Sequence, residues 1–284
     1  MFEAQQNVFL IGNGESRKNF DLNTLRPHGK IYGCNRLYQD FTPDVLISVD
    51  HGIMHEIYQS GYCVNNEAWF RDWTKVPLMS YESLVKGALS DTEVDKLKEN
   101  GHLKLYEVPG ASEYVYHGSK LEGMVKILKE NEKNEDKQVK VGTVHLSQIH
   151  PNDKSNSLSD IMQPRDRGWS AGPTAGYIAC KQNEVLNAFL IGHDLNSTTP
   201  HVNNIYKDTK HYVTSSHHPT PSVNWITQWK ELFDEFKVVM FYKVNEFGVT
   251  RNDTVNQEVQ EWSGVMNLDY IDYEKMQLIL SNQH

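Results

Sequence analysis

The amino-acid sequence predicts an α/β fold: a mainly parallel, Rossmann-like sheet with helices on both faces. Two observations predict it. Short apolar runs rich in β-formers alternate with polar stretches of helical character, and this order requires crossover connections between parallel strands. Small polar residues follow several of the apolar runs, as is typical at the carboxyl ends of strands in open α/β sheets.

The apolar runs predict strands at NVFLI (7–11), KIYGC (30–34), VLISV (45–49), VPLMS (76–80), LKLYEVP (103–109), VLNAFLIG (185–192) and VVMFYKV (238–244). The stretches between them predict helices over 16–25, 51–60, 82–100 and 120–137, a loop that enters a helix over 168–182, and a helix over 223–236. The polar, breaker-rich segment 152–160 predicts a loop.

A long polar segment, residues 193–222, separates the strand that ends at Gly192 from the last of these helices. It is too long for an idle connection, so we expect it to form a small lid over a site. We expect one α/β domain over 1–245, including this lid, and a C-terminal extension over 246–284. Trp225 and Trp229, which share a helix face, are expected in the core, with a subunit contact in a homo-oligomer as the alternative.

Composition limits the partners and the location. The formal charge of −9 and the pI of about 5.8 give no overall basic field, so contact with nucleic acid requires a local patch. The three cysteines lie far apart without C-x-x-C spacing, which favours a reducing compartment, and no run is apolar enough for a membrane span. We therefore expect a cytoplasmic protein.

The first strand ends in the turn Gly12-Asn13-Gly14, and Ser16 follows it. A Gly-x-Gly turn lets the backbone approach a ligand and presents the N–H groups of the next helix to phosphate oxygens. The dinucleotide fingerprint is incomplete, because Arg17 replaces its third glycine and the second strand is followed by Asn35 in place of an acid. No G-K-[ST] follows, which excludes a P-loop, and an ordinary tight turn is the alternative interpretation.

Polar residues also follow other strands: Asn35 after the second, Asp50 after the third, and Gly192-His193-Asp194 after the strand over 185–192. Ligands of open α/β sheets bind outside the carboxyl ends of the strands, so these residues are candidates for one site. Amide side chains both donate and accept, as a pyrimidine edge or a sugar hydroxyl requires, and a carboxylate accepts from ribose hydroxyls. Capping of the next helix is the alternative role of Asn35 and Asp50.

Five motifs occur in order along the chain: IGNGES (11–16), YGCNRLY (32–38), SAGPTAGYIAC (170–180), FLIGHDL (189–195) and KHYVTSSHHPTPSVNW (210–225). With them the sequence resembles the bacterial sialyltransferase-like glycosyltransferases and the related motility-accessory glycosyltransferases that modify flagellin. The resemblance covers the frame of the chain but not residues 60–150. It implies a variant GT-A fold, a metal-independent reaction and a nucleotide-sugar donor, a CMP- or UDP-sugar.

The resemblance also implies roles for individual residues. Tyr212 would stabilise the departing phosphate, and His217, or His218 one position on, would take the proton of the acceptor. The spacing between Tyr212 and His217 is wider than in the sialyltransferases, and only Arg167 is close to the position of an expected arginine. From the resemblance and the strand ends together, we expect the donor to bind at Gly12, Asn13, Gly14, Ser16, Asn35, Asp50, Ser170, Gly172, Thr174, Gly192 and Asp194.

Histidine suits the role of general base because imidazole titrates near neutrality. The chain has 13 histidines, so His193, His201 and His211 remain rivals, and a solvated surface role is the alternative for each. No D-x-D triplet and no H-E-x-x-H occurs, and we therefore expect no metal cofactor.

The sequence thus predicts a metal-independent glycosyltransferase that inverts by single displacement. The acceptor stays open among a glycan, a protein hydroxyl and a hydroxylated base in DNA. A polynucleotide would find a small basic and stacking patch in Arg165, Arg167, Trp169, Lys207 and Lys210. Two alternatives are diphosphate transfer from ATP, as in the pterin pyrophosphokinases that the motility-accessory branch resembles, and a nucleotide-binding module without chemistry.

Overall fold

A computed structural model describes residues 7–71, 74–77, 83, 85, 87–107, 113–118, 143–162, 169–246, 255 and 257–282. Its strands are β1 (Asn7–Ile11), β2 (Lys30–Cys34), β3 (Val45–Ser48), β4 (Glu67–Phe70), β5 (Thr74–Pro77), β6 (Leu103–Tyr106), β7 (Glu113–Gly118), β8 (Val144–Ile149), β9 (Ser155–Ser157), β10 (Asn187–Ile191), β11 (Met240–Val244) and β12 (Leu268–Ile271). The helix expected over 120–137 lies outside the described residues.

The described α-helices are α1 (His51–Gln59), α2 (Tyr62–Asn65), α3 (Asp91–Glu99), α4 (Ser159–Met162), α5 (Ala171–Gln182), α6 (Val223–Glu235) and α7 (Tyr273–Ser281). Short 3-10 helices are η1 (Glu15–Arg17), η2 (Leu22–Leu25), η3 (Asn35–Gln39) and η4 (Gln260–Trp262). None of the described helices is long and apolar enough to cross a bilayer.

The chain divides into two compact units, Met1–Ile47 with Arg167–His284, and Ser48–Asp166. In the first unit, the strands pair in parallel in the order β12-β11-β10-β1-β2-β3. Ile11 at the end of β1 lies opposite Ile191 on β10 and Gly33 on β2, so the carboxyl ends of the central strands are level. The predicted α/β class with a mainly parallel sheet is confirmed.

Both faces of this sheet are covered, because β1 and β10 are buried along almost their whole length. On one face, Phe9 and Ile11 share a core with Leu25 of η2 and Met276 of α7. On the other face, α5 packs so closely that a Cβ on Gly176 would lie 3.0 Å from the Trp229 ring of α6 and 3.3 Å from Leu10.

One sequence-based expectation is wrong in this unit, and the expected C-terminal extension contributes to its sheet and core. The polar stretch 16–25, expected as a helix, forms only η1 and η2, separated by a turn. Residues 246–284, expected as an extension, supply β12, which pairs with β11, and α7, whose Met276 and Leu280 lie in the shared core. Strand pairing and apolar packing thus tie this part of the chain to the first unit.

The second unit contains a parallel pair, β4 with β9, and a mixed sheet in the order β5-β7-β8-β6. Only β6 and β8 run parallel in the mixed sheet. Residues 152–160, predicted as a loop, include β9 (Ser155–Ser157) and the start of α4, so that prediction is wrong there. Its serines are buried and paired beside β4, a tertiary effect that outweighs the low strand propensity of the segment.

We expect Trp229→Ala to lower the free energy of unfolding by about 3–5 kcal/mol, because this side chain is fully buried between α5 and Phe233. Trp225→Ala on the same helix is the matched control, since its ring is half-buried. Urea denaturation followed by circular dichroism measures both changes. Equal losses for the two variants would contradict this packing.

Candidate functional site

The Gly12-Asn13-Gly14 turn packs directly against the chain that leaves β10. The amide of Gly12 donates to the carbonyl of Ile191, and that of Gly14 to the carbonyl of Gly192, each at 2.8 Å. A Cβ on Gly12 would lie 2.4 Å from the Gly192 oxygen, a distance that no side chain tolerates. Glycine is therefore required at position 12 by a contact within the protein, and both glycine amides are already engaged.

The amino end of η1 is also engaged within the protein. The Asp194 carboxylate accepts from the backbone amide of Ser16 at 3.1 Å and from the Ser16 hydroxyl, while Asn203 accepts from the Glu15 amide at 2.7 Å. Asp194 is 7% exposed, and a Cβ on Gly14 would lie 2.4 Å from its carboxylate. Asp194 thus fills the place at this helix end where a phosphate was expected.

His193 fixes the distance between β1 and the start of α5. Its Nε2 donates to the Leu10 carbonyl at 3.1 Å, and its ring lies edge-on to Trp229 at 5.0 Å. A Cβ on Gly172 would lie 2.7 Å from this ring, so glycine is required there too. Burial lowers the pKa of His193 to about 3, which makes this rival a weak base.

Segment 193–222 folds back over the β1 turn without forming helix or strand, and all of its residues are described. The amide of Ile205 donates to the Asn13 carbonyl at 2.9 Å. The Asn13 side-chain amide donates to the Tyr212 hydroxyl and to the Cys34 carbonyl, each at 3.4 Å. Asn13 therefore joins the end of β2 to the predicted catalytic tyrosine, and its Oδ1 is buried with no hydrogen-bond partner among the described residues.

Arg17 is a site residue that the sequence reasoning missed. Its Nε donates to the Gly12 carbonyl at 2.6 Å, and its Nη2 donates to the Tyr206 hydroxyl at 3.3 Å. The Tyr206 ring lies 5.8 Å from the Tyr212 ring. The only sequence signal was the departure from glycine at position 17, which we used solely to exclude a dinucleotide site.

His217 and His218 are both exposed near the end of the segment. His217 Nδ1 lies 2.7 Å from the His218 carbonyl, and His218 Nδ1 lies 3.3 Å from the Pro200 carbonyl. A carbonyl only accepts, so each Nδ1 carries the proton in these contacts. The Nε2 lone pair of each ring is then available to accept a proton, as a general base requires.

Residues around the start of α5 are mostly engaged by the core. The Ser170 amide and hydroxyl donate to Gln228 Oε1 of α6 at 2.9 and 2.7 Å. Thr174 is 1% exposed, and its hydroxyl has no hydrogen-bond partner among the described residues. Trp169 is buried with its ring edge against Tyr177, in place of the surface position that stacking with a polynucleotide would need.

The remaining predicted residues fall in different places. Asn35 begins η3 with a φ of 52°, a left-handed conformation that marks strain at a strand end. Asp50 belongs to the second unit, where it precedes α1 without making a side-chain cap hydrogen bond. Lys207 pairs with Glu15 at 2.9 Å, and Arg36 donates to the Lys210 carbonyl at 2.9 Å. Arg165 and Arg167 lie outside the described residues.

The second unit holds a cluster of histidines that the sequence reasoning did not single out: the half-buried His51 and the buried His55 of α1, His117 of β7 and His145 of β8. His117 Nδ1 lies 3.1 Å from His55 Nε2, and His55 Nδ1 contacts the Ser147 hydroxyl. The His55 ring stacks on that of His145 at 5.1 Å. Apart from His51 and His55 on α1, these residues are far apart in the sequence. No spacing pattern therefore indicates that they form a cluster.

Burial lowers the pKa of His117 well below 6.5, and the neighbouring His51 and His145 lower it further. The side chain is fully buried, and its Nε2 has no hydrogen-bond partner among the described residues. Burial therefore favours the neutral form of the His117 ring. Across the parts of the chain that the structure describes, no group of three or more histidine, cysteine or acidic side chains has the arrangement of a metal site.

No protein-family model, curated protein or solved structure matches this chain. The densest set of contacts among the predicted site residues lies in the first unit, where the ends of β1, β2 and β10 meet segment 193–222.

We expect the protein to lose stability as the pH falls below about 6.5, the ordinary pKa of histidine. Below that pH His117 binds a proton in the unfolded chain but not in the folded chain, because burial lowers its pKa in the folded state. Protonation therefore favours the unfolded state. The slope from this group approaches about 1.4 kcal/mol per pH unit. Urea unfolding at pH 7.5, 6.5 and 5.5 measures it.

His117→Gln is expected to make this dependence shallower, because glutamine does not titrate. His201→Gln, at an exposed position, is the matched control and should keep the wild-type slope. A slope that is the same in all three proteins would show that His117 does not bind its proton on unfolding.

Proposed function

We propose that the protein is a glycosyltransferase that moves a sugar from a nucleotide-sugar donor to a hydroxyl acceptor without a metal. One observation carries the proposal: Asn13, after β1, and Tyr212, 199 positions away, are in contact at the carboxyl end of the parallel sheet. Ligands of such sheets bind at this edge. The resemblance assigned Asn13 to the donor and Tyr212 to its leaving phosphate, and the position of Asn13 at a strand end also indicated a ligand contact.

The side chains at this edge suit single displacement. The Tyr212 hydroxyl is able to donate to the phosphate oxygen that gains charge as the bond to the anomeric carbon breaks. His217 or His218 takes the proton from the attacking acceptor hydroxyl through Nε2, because Nδ1 of each ring donates to a backbone carbonyl. The acceptor oxygen attacks opposite the leaving phosphate, so the configuration at the anomeric carbon inverts.

Two buried polar atoms support a donor pocket. Asn13 Oδ1 and Thr174 Oγ1 have no hydrogen-bond partner among the described residues, although burial of an unsatisfied polar atom costs about 1–3 kcal/mol. Both residues were predicted to contact the donor, and hydroxyl or base N–H groups of a nucleotide would satisfy them. Segment 193–222 is the lid in this proposal.

The described residues favour one class of acceptor over another. Burial of Trp169 and the ion pair of Lys207 with Glu15 engage two of the five residues that were expected to form a polynucleotide patch. The exposed histidines are reachable by a large hydroxyl-bearing acceptor, and a glycan or protein hydroxyl therefore fits better than a base in duplex DNA.

A thermal-shift screen against CMP, UDP, GDP, ADP and ATP, with and without magnesium, tests the proposal first. A nucleotide that binds only the folded state raises the unfolding midpoint. We expect a metal-independent rise with CMP or UDP. A rise that requires ATP and magnesium together would indicate diphosphate transfer instead.

Hydrolysis or transfer of the sugar from the donor that gives the largest shift, measured in the presence of chelator, tests the catalytic roles. We expect Tyr212→Phe to lower kcat by about 10²-fold, because it removes a donor to the leaving group. His217→Ala or His218→Ala should lower kcat by about 10²- to 10⁴-fold. His28→Ala, at the amino end of β1, is the control, and full activity in both of the first two histidine variants would refute the general base.

A further inference from the structure

Arg17 is a buried cation whose charge is not matched by a carboxylate. The residue is 6% exposed, yet it forms no ion pair with any of the described residues. Its hydrogen bonds go to two neutral groups, the Gly12 carbonyl and the Tyr206 hydroxyl. Buried charges in proteins are normally paired, because removing an ion from water costs several kcal/mol.

The acids nearby are occupied elsewhere. Asp194 is held by the amide and hydroxyl of Ser16, at the opposite end of the short helix η1. Asp40 is exposed and interacts with the Tyr206 hydroxyl, so it reaches Arg17 only through that tyrosine. Burial and Asp40 raise the pKa of Tyr206 to about 12, and this hydroxyl stays protonated. The neighbourhood therefore supplies no anion in direct contact with the guanidinium.

The guanidinium lies within a closed circuit of contacts around the turn after β1. Its Nε and Nη2 contact Gly12 and Tyr206, the ring of Tyr206 lies beside that of Tyr212, and the Tyr212 hydroxyl contacts Asn13. Nη1 makes no hydrogen bond with the described residues. Arg17 keeps unused N–H groups beside the side chains that the proposed function assigns to the donor.

We propose that Arg17 binds a phosphate group of the donor nucleotide. This assignment rests on the proposed function for the identity of the ligand. It follows from the unpaired charge of Arg17 and from the engagement of the Gly12, Gly14 and Ser16 amides within the protein. An arginine offers two parallel N–H groups that match phosphate oxygens. Phosphate binding thus depends on a side-chain cation beside the turn, while the Gly12 and Gly14 amides keep their contacts within the protein.

Inorganic pyrophosphate is the probe, because it carries the proposed charge without nucleoside or sugar. At matched ionic strength, we expect saturating pyrophosphate to raise the unfolding midpoint of the wild-type protein by roughly 2–5 °C. The formal charge of −9 opposes non-specific binding of a polyanion. Arg17→Gln should raise the Kd for pyrophosphate by about 10- to 100-fold, since it removes a charge-assisted donor pair.

Lys18→Gln is the matched control, because it removes the same charge from the next residue, which is exposed. It should bind pyrophosphate as the wild type does. Arg17→Lys keeps the buried charge but loses the fork, so it is expected to fold even if Arg17→Gln does not, and to bind with intermediate affinity. Equal affinity in the wild type and in the folded Arg17 variants overturns the proposal, and so does a wild-type midpoint that pyrophosphate leaves unchanged.

The two proposals fail separately. If a nucleotide sugar is turned over and the Arg17 variants keep the affinity for pyrophosphate, the function stands and the assignment of Arg17 falls. If pyrophosphate binding depends on Arg17 but no nucleotide sugar is turned over, the anion site stands and the glycosyltransferase function falls.

Discussion

The close approach of two backbones, at the ends of β1 and β10, is the constraint on which the rest of the first unit depends. Hydrogen bonds from Gly12 and Gly14 to the carbonyls of Ile191 and Gly192 extend the parallel pairing of these strands beyond the sheet. Gly192 adopts a φ of 70°, and a Cβ there would meet Arg17. Because no side chain separates the two turns, His193, Asp194 and Arg17 all lie against the turn after β1.

The two buried charged groups at this junction, Asp194 and Arg17, have different kinds of hydrogen-bond partner. Asp194 receives two hydrogen bonds from Ser16 at the amino end of η1, where a negative charge is favoured by the helix dipole. Arg17 is the last residue of the same short helix, and its guanidinium donates hydrogen bonds only to neutral groups. The acid therefore stabilises the fold by itself, whereas the arginine is satisfied fully only when an anion is present.

Much of the fold could be predicted from the sequence, because its signals are local. The apolar runs of β1, β2, β10 and β11 are buried strands, and the apolar spacing over 223–236 gives α6. The polar strand β9 could not be predicted, since its buried serines acquire that conformation only beside β4. The polar residues at strand ends indicated Asn13 and Asp194 as site candidates. They did not indicate that the Asp194 carboxylate would accept hydrogen bonds from Ser16.

The rest of the candidate site depends on contacts between distant residues. Tyr206 reaches Arg17 from 189 positions away, and no spacing rule connects them. The histidine cluster of the second unit likewise joins one helix to two strands, with 62 positions between His55 and His117. Burial decides the chemistry of each of these groups, and burial of a polar side chain is the property that sequence patterns report least well.

The contacts of the glycine turn differ from those that its sequence predicts. Its sequence is typical of a phosphate cradle, yet the amides of Gly12, Gly14, Glu15 and Ser16 bind carbonyls and side chains of the protein itself, so side chains around the turn would supply most of the donors to a bound anion. Asn13, Arg17, Tyr206 and Tyr212 supply amide, cationic and phenolic donors there. Two of these four donors, Tyr206 and Tyr212, are carried by segment 193–222, and the Ile205 amide holds that segment against the turn through the Asn13 carbonyl. The chemistry of the turn therefore depends on contacts between residues up to 199 positions apart.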